Sequence, residues 1–467
     1  MAFDFVGDAY AARSVNAACQ QAINYYLEKD PEGWRLYGTP GSSTIVTLGG
    51  TSRAAMEYRG ISYWVTGNKF YSKTAGNVIA TLGTLNTATG FAKIVTNGLV
   101  ILIVDGVEGY TFTLSTGTFE LITDPDFPSH PISAAVLKGT FMVPDGGTQT
   151  YYISTTGTSW SPADFASAES NPDDLAGIIA DDDEVILFGK EISEAWFYSG
   201  DASFALSFRS AIKCGLAGVG ASCNADNTVF FLDQHGIVRR LNTYTGVRVS
   251  THAIEYAISK MPSFADCIMW SQVEIGHTFI WCQFPSGNQT WVYDVAAAAA
   301  GKSGWHRRVH RDPDTGAHNR HRANCYVYAN GKHLIGDYQN GSIMELRSDL
   351  YDDDGDPLPA IRVCRHIQGG SSDKAVRHAF LIIKPESGVG LASGQGYDPQ
   401  MMLKWSDDDG HKWSNEIWLS MGKMGEYNKE LKFGPLGSVR PPAARVYWCE
   451  VTDPVKRVII SGELKTK

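Results

Sequence analysis

One short unit recurs along most of this chain: two apolar strands joined by a polar, usually glycine-containing turn, the second strand rich in aromatics. It first occurs as Ile61-Ser62-Tyr63-Trp64-Val65, Gly67-Asn68 and Lys69-Phe70-Tyr71-Ser72, and next as Val100 to Val104, Asp105-Gly106 and Tyr110-Thr111-Phe112. Thr140 to Val143 leads across Asp145-Gly146-Gly147 to Tyr151-Tyr152-Ile153-Ser154, and Val185 to Gly189 leads to Ala195-Trp196-Phe197-Tyr198. Three later copies begin at Val229, Thr278 and His333 and turn at His235-Gly236, Ser286-Gly287-Asn288 and Asn340-Gly341. They end in Ile237-Val238-Arg239, Thr290-Trp291-Val292-Tyr293 and Ile343-Met344-Glu345-Leu346. Short apolar runs bounded by turn residues read as strands, and glycine supplies the positive φ that tight hairpins need. Spacings of roughly 35 to 50 residues match the blade repeat of a β-propeller, whose four-stranded blades each contain such a hairpin. The expected fold is all-β, with a six- or seven-bladed β-propeller; a plain series of hairpins in sandwiches is the alternative.

A chain of 467 residues exceeds one ordinary core, so further domains are expected. The propeller is assigned to residues 46–350. The stretch Tyr351-Asp352-Asp353-Asp354-Gly355-Asp356-Pro357-Leu358-Pro359 interrupts the strand pattern and reads as a linker over 351–359. Beyond it, runs such as Ala379 to Ile383, Met401 to Trp405, Ala444 to Trp448 and Arg457 to Ile460 alternate with turns, which suits one C-terminal β-sandwich over 360–467. Residues 1–45 form an N-terminal arm. There Val15, Cys19, Ile23 and Leu27 recur every four residues, the spacing of one helical face, without a framing cap or glycine stop. Ala296 to Ala300 is a surface loop or a single helical turn.

No run approaches the ~20 apolar residues of a membrane helix, and Met1-Ala2-Phe3-Asp4-Phe5 lacks the basic flank of a signal peptide. The cysteines at 19, 214, 223, 267, 282, 325, 364 and 449 are dispersed, without a C-x-x-C pair, and are expected to be reduced, mostly buried hydrophobes. A net charge of −10 disfavours DNA binding, which draws its affinity from Lys and Arg displacing condensed counterions. An acidic wall can still enclose DNA and let it slide, because it offers the polyanion no binding minima.

The sharpest local motif is Ser406-Asp407-Asp408-Asp409-Gly410-His411-Lys412-Trp413, which has the S-x-D-x-G-x-x-W pattern of the Asp box. Asp408 is placed to cap turn amides, Gly410 to take positive φ and Trp413 to cover the turn, a structural device rather than a catalytic one. A degenerate copy is Gly157-Thr158-Ser159-Trp160. The acidic clusters Asp181-Asp182-Asp183-Glu184 and Asp352-Asp353-Asp354 lack the alternating ligand spacing of a calcium loop and read as solvated turns. Trp305-His306-Arg307-Arg308-Val309-His310-Arg311, continuing to Arg320-His321-Arg322, reads as a hairpin with cationic flanks. It suits contact with an acidic protein neighbour better than with nucleic acid, since Trp305 alone supplies an aromatic. His306, His310 and His321 are scattered rather than spaced as metal ligands. No G-x-S-x-G, Walker loop, Rossmann glycine set or H-E-x-x-H occurs. The expectation is no enzyme, with no catalytic, cofactor-binding or metal residues.

Several longer stretches resemble the packaged-DNA stabilisation proteins of short-tailed bacteriophages (podoviruses), also called tail hub or nozzle proteins. They are Arg13 to Gln20 with Ile23-Asn24-Tyr25-Tyr26 and Thr39-Pro40-Gly41; Trp160, Asp164-Phe165-Ala166, Ala168-Glu169 and Pro172-Asp173-Asp174; and Trp196-Phe197, Ser199 to Phe204 and Ser250 to Glu255. Gly276-His277-Thr278-Phe279, Phe284-Pro285 and Thr290 to Asp294 resemble it within the propeller. In the C-terminal domain Leu403 to Ser406, Trp413 to Glu416, Gly422 to Tyr427 and Val451 to Val455 do so as well. The chain departs from the family after Tyr427, where Asn428 to Pro435 replaces an arginine-rich strand. The resemblance implies an extended N-terminal segment and a structural virion protein. It implies a ring, usually a hexamer, below the portal-adaptor ring, in contact with the tail needle and tail fibres or spikes. Such a ring encloses double-stranded DNA without sequence-specific binding, retains it until ejection and then conducts it. It further implies assembly in the host cytoplasm, membrane contact only through the assembled tail and no small-molecule substrate. The alternative, resting on the Asp box, is a carbohydrate-binding or glycan-hydrolysing β-propeller.

Overall fold

The computed structural model describes residues 5–161, 165–167, 173–200, 206–368 and 374–466, apart from Val15 and Ala17. Each of the seven sequence hairpins forms the second and third strands of a four-stranded antiparallel blade. The second strand is the apolar one: Val100–Val104 is buried along its whole length, because blades pack against both of its faces. An aspartate ends several of these strands and turns the chain. Asp105 accepts the amides of Val107 and Glu108 at 3.0 and 2.8 Å, and Asp233 accepts those of His235 and Ile237, both at 2.9 Å.

The innermost strands are Ser52–Tyr58, Lys93–Thr96, Ala135–Leu137, Leu175–Asp181, Ser222–Ala225, Ile268–Glu274 and Ala323–Ala329. Each lies against the next in chain order, and the last lies against the first. Apolar clusters fill the spaces between blades, including Trp64 of the first blade with Cys325, Val327, Leu334 and Ile343 of the seventh. The fold is therefore a β-propeller with seven blades among the described residues.

Closure of the seventh blade depends on the other end of the chain. Its outer strand is Gly41–Thr47, paired antiparallel with Ser342–Arg347. A side chain at Gly41 would stand 2.2 Å from the carbonyl oxygen of Asp352, so glycine permits this strand to enter.

The C-terminal β-sandwich is likewise built from both chain ends. Trp305–Arg307, the outer strand of the sixth blade, pairs in parallel with Cys19–Ile23, which pairs antiparallel with Ala360–Val363. That sheet continues through Ala444–Val451 and Gln400–Ser406 to Ile417–Ser420, so blade and sandwich share one hydrogen-bonded sheet. The facing sheet runs Tyr25–Asp30, Gly33–Gly38, Val458–Thr466, Val376–Pro385 and Leu431–Phe433. Phe5, Tyr25, Leu27 and Leu36 from the N-terminal region are buried there with Leu381, Leu403, Phe433 and Leu464.

The four-residue recurrence through Cys19, Ile23 and Leu27 does not mark a helix. Cys19–Ile23 and Tyr25–Asp30 are strands, as the family resemblance implied, while Val15 lies outside the described residues. Asn24, at φ 52°, separates the two strands. Its side chain donates to the carbonyls of Val309 and Pro359 at 3.1 and 2.8 Å and accepts the Val309 amide at 2.9 Å. The acidic stretch after Leu350 is also tied down: Asp352–Asp353 pairs in parallel with the closing strand and antiparallel with Asp356–Pro357. The alanine run forms the single-turn helix Val295–Ala299, capped by the Asp294 carboxylate.

Candidate functional site

The basic run 305–322 lies at the junction of propeller and sandwich, and most of its charges are internal. His306, Arg308, His310, Arg320, His321 and Arg322 are all buried, at 7% exposure or less. The sequence expectation of cationic flanks open to a neighbour is corrected for these side chains; residues 313–317 at the hairpin tip remain exposed. Arg308 has no hydrogen-bond partner among the described residues and lies 4.3 Å over Trp281 and 5.2 Å over Phe279. Burial lowers its pKa to about 10, and the aromatic faces supply a cation–π contact in place of a counter-ion. Arg322 donates to Asp337 at 2.6 Å, and Arg320 lies 3.7 Å over the Tyr338 ring. Burial also holds His321 down to about 3 and pushes His306 well below its ordinary value, so both rings are neutral at pH 7.

Asp353 ties these parts together. It accepts from His310 Nδ1 at 2.6 Å and from the Ser42 hydroxyl of the closing strand. Burial by itself would raise this carboxyl, but the hydrogen bond and charge of His310, with the Ser42 contact, hold it down at about 2. A folded-state pKa below the unfolded value, ~3.9, gives stability that is complete above about pH 4 and lost as pH falls toward 2. Asp353→Asn is expected to cost about 2–4 kcal/mol at pH 7 by leaving His310 and Ser42 poorly paired. Urea unfolding at pH 7 and at pH 2.5 checks this: the gap between wild type and variant should narrow in acid, and an unchanged gap contradicts the assignment.

The other motifs are spent on their own turns. Asp408 accepts from the Ser406 hydroxyl at 2.8 Å and from the Lys412 amide at 2.7 Å; Gly410 takes φ 95°, and Trp413 packs against Trp448. These contacts leave the motif a folding device of the sandwich, and the carbohydrate alternative draws no support from it. In the degenerate copy, Trp160 Nε1 donates to the Gly157 carbonyl at 3.2 Å, and Thr156 Oγ1 accepts the Ser159 amide at 3.1 Å in the aspartate's place. Asp182 occupies a positive-φ turn, while its neighbours Asp183 and Glu184 pair with Lys138 and Arg209 on flanking strands and turns. Among the described residues, no three His, Cys, Asp or Glu side chains are grouped to hold a metal ion. All eight cysteines are free and buried. The motif segments Asp164, Ala168-Glu169, Pro172 and Asp201 to Phe204 fall outside the described residues.

Two features were not legible as sites. The first is the axial cavity of the propeller, whose sections have volumes of about 290, 160 and 390 Å³. Spaces of this size are far too small for a DNA duplex. The second is an exposed apolar patch on the sandwich loops: Leu391, Tyr397, Met424 and Tyr427 are 38, 45, 61 and 73% exposed. Tyr427 lies against the backbone of Gly388, Leu391 sits beside Gly396, and Lys423 stands 4.7 Å over Tyr397. Grouped exposure of large apolar side chains marks interaction surfaces more often than chance placement does.

Two family models match the chain. One, described as bacteriophage P22 Gp10, beta-propeller, covers residues 32–351; the other, bacteriophage P22 Gp10, beta-sandwich, covers residues 381–467. No curated protein matches the sequence. Similar solved structures include the computationally designed Ika8 protein, at 8% identity and TM-score 0.42 over 66% of this chain and all of that one. Streptogramin B lyase matches at 12% identity and TM-score 0.46, over 69% of this chain and 98% of that one. The N-terminal domain of Nup159 matches at 9% identity and TM-score 0.39, over 70% and 98%. These likenesses are remote, and nothing is transferred from them.

Proposed function

The chain belongs to the bacteriophage P22 Gp10 family, a family of structural phage tail proteins, and from that premise we propose that it is the ring-forming hub, or nozzle, of a short tail. In this reading several copies, a hexamer by the family pattern, assemble below the portal-adaptor ring. They retain the packaged genome and conduct it during ejection. The two family matches, spanning propeller and sandwich in the same chain, carry the proposal.

Physical features support it. The propeller's own channel cannot pass DNA, so a conduit must lie between subunits, and a net charge of −10 suits a wall along which a polyanion slides. Eight reduced, buried cysteines suit assembly in the host cytoplasm. The Leu391–Tyr427 patch offers apolar surface for a tail partner or a neighbouring copy, with the tail needle and the fibres or spikes as further partners.

The role is tested by packaging phage genomes in cells whose phage lacks this chain. Particles without it should fill and then lose their DNA; normal genome retention in those particles contradicts the role.

A further inference from the structure

We propose that His277 is a proton-dependent latch between the propeller and the C-terminal sandwich, closed while its ring carries two protons and released when Nε2 loses one. His277 opens the second strand of the sixth blade, His277–Phe284, and is 6% exposed. Its Nδ1 donates to Asp294 Oδ2 at 2.8 Å, within the same blade. Its Nε2 stands 3.7 Å from Glu28 Oε2, and Glu28 belongs to the sandwich strand Tyr25–Asp30. The ring therefore lies between one acid of each domain.

A neutral imidazole has a single N–H, whereas the imidazolium has two. Asp294 fixes where the first proton sits. This carboxylate is 1% exposed, and its other oxygen already takes the amides of Ala296 and Ala297 at 3.0 and 3.4 Å. With one proton on the ring, Nε2 turns a lone pair toward the Glu28 carboxylate. With two, each acid receives a donor and a charge-assisted contact joins the domains. Phe279, stacked at 5.4 Å, and Tyr26, edge-on at 5.1 Å, keep the ring between the acids.

The other charged and titratable groups around the ring come from four elements. Glu274, the cross-strand partner of His277, adds a third acid and accepts from Gln272 at 2.9 Å. Burial keeps the His306 ring neutral and pushes the Tyr26 phenol up, so neither competes for the proton. Arg308, 5.2 Å over the Phe279 ring, opposes the second proton, and Lys456 is engaged by Glu386 at 2.8 Å. Burial of His277 opposes that proton too, yet the hydrogen bond and charge of Asp294, with the charge of Glu28, hold the ring above its ordinary pKa. A folded-state pKa above the unfolded value, ~6.5, means that the contact is complete below that pH and lost as pH rises through the folded value. A cleft of about 320 Å³ lined by Glu28, Glu274, Tyr26 and Phe279 lies at the contact, and the Glu28 side chain is 36% exposed, so protons can exchange there. The shared sheet keeps the domains together, and release loosens the strand Tyr25–Asp30 rather than parting them.

The test follows amide hydrogen exchange of the full-length chain at pH 6 and pH 8.5, corrected for the intrinsic pH dependence of exchange. In wild type the protection of Tyr25–Asp30 should fall roughly fivefold or more at the higher pH. His277→Gln, whose amide does not titrate, and Glu28→Gln should each remove that dependence. Nitrogen-15 spectra of the histidine-labelled chain provide a second readout: the His277 ring should titrate above the ordinary histidine value in wild type and move down toward it in Glu28→Gln. Should His277→Gln fail to fold by circular dichroism, Glu28→Gln and the nitrogen-15 titration decide alone. Protection in wild type that does not change with pH, a change that persists in the folded variants, or a His277 ring that titrates at or below the ordinary value overturns the proposal.

Discussion

A fragment consisting of residues 360–467 is expected to remain unfolded on its own, although the sequence marks it as a complete sandwich. Its strand Ala360–Val363 has Cys19–Ile23 as one neighbour, and Val458–Thr466 is flanked by the hairpin Tyr25–Asp30 and Gly33–Gly38. Cutting the chain at 360 therefore leaves two sheets with exposed edges. It also removes Phe5, Tyr25, Leu27 and Leu36 from the core. At ~1.5–3 kcal/mol for each large apolar side chain, the loss is on the order of 10 kcal/mol, comparable with the whole stability of a domain. Far-UV circular dichroism and amide proton dispersion should show a disordered chain, and a single chain that joins 5–38 to 358–466 should recover the strand signal. Cooperative unfolding of 360–467 alone would contradict this account of the fold.

Replacing Arg362 with methionine should produce the largest loss from a single side chain. Arg362 is fully buried, and its guanidinium fastens the N-terminal segment to the sandwich. Nε donates to the Phe5 carbonyl at 2.7 Å, one terminal nitrogen to the carbonyls of Asp8 and Gln21 at 3.0 and 3.3 Å, and the other to Gln20 Oε1 at 3.0 Å. Methionine fills similar space but leaves those acceptors buried without donors, which costs about 3–5 kcal/mol. Arg362→Lys should recover little, since an ammonium cannot reproduce the planar fork. Denaturant unfolding measures both variants, and a loss under about 1 kcal/mol for Arg362→Met would show that the clamp is incidental.

These two predictions fall where sequence reading was weakest, and the reason is range. Each hairpin lies within a dozen or so residues and advertises itself by apolar runs and a turn, so all seven were readable as blade centres. Alternation tells that Gly41–Thr47 is extended; it does not tell that its partner is Ser342–Arg347, some three hundred residues later. The same limit hid the junction. The basic residues 305–322 look solvated because their compensation comes from Trp281, Asp337 and Asp353, each distant in sequence or on another element. Cys19, Ile23 and Leu27 show the converse error, a helical spacing produced by two strands that meet at the positive-φ residue Asn24. The Asp box was legible because every group it uses is local. The axial cavity was not, since its walls come together only when the innermost strands of separate blades face one another.

Electron microscopy of the purified chain, alone and mixed with portal-adaptor complexes, tests the proposed role most directly. The account predicts closed rings, or rings completed on the portal, around an opening wide enough for a duplex and walled by several copies. A chain that stays monomeric at all concentrations and never joins the portal complex would contradict it.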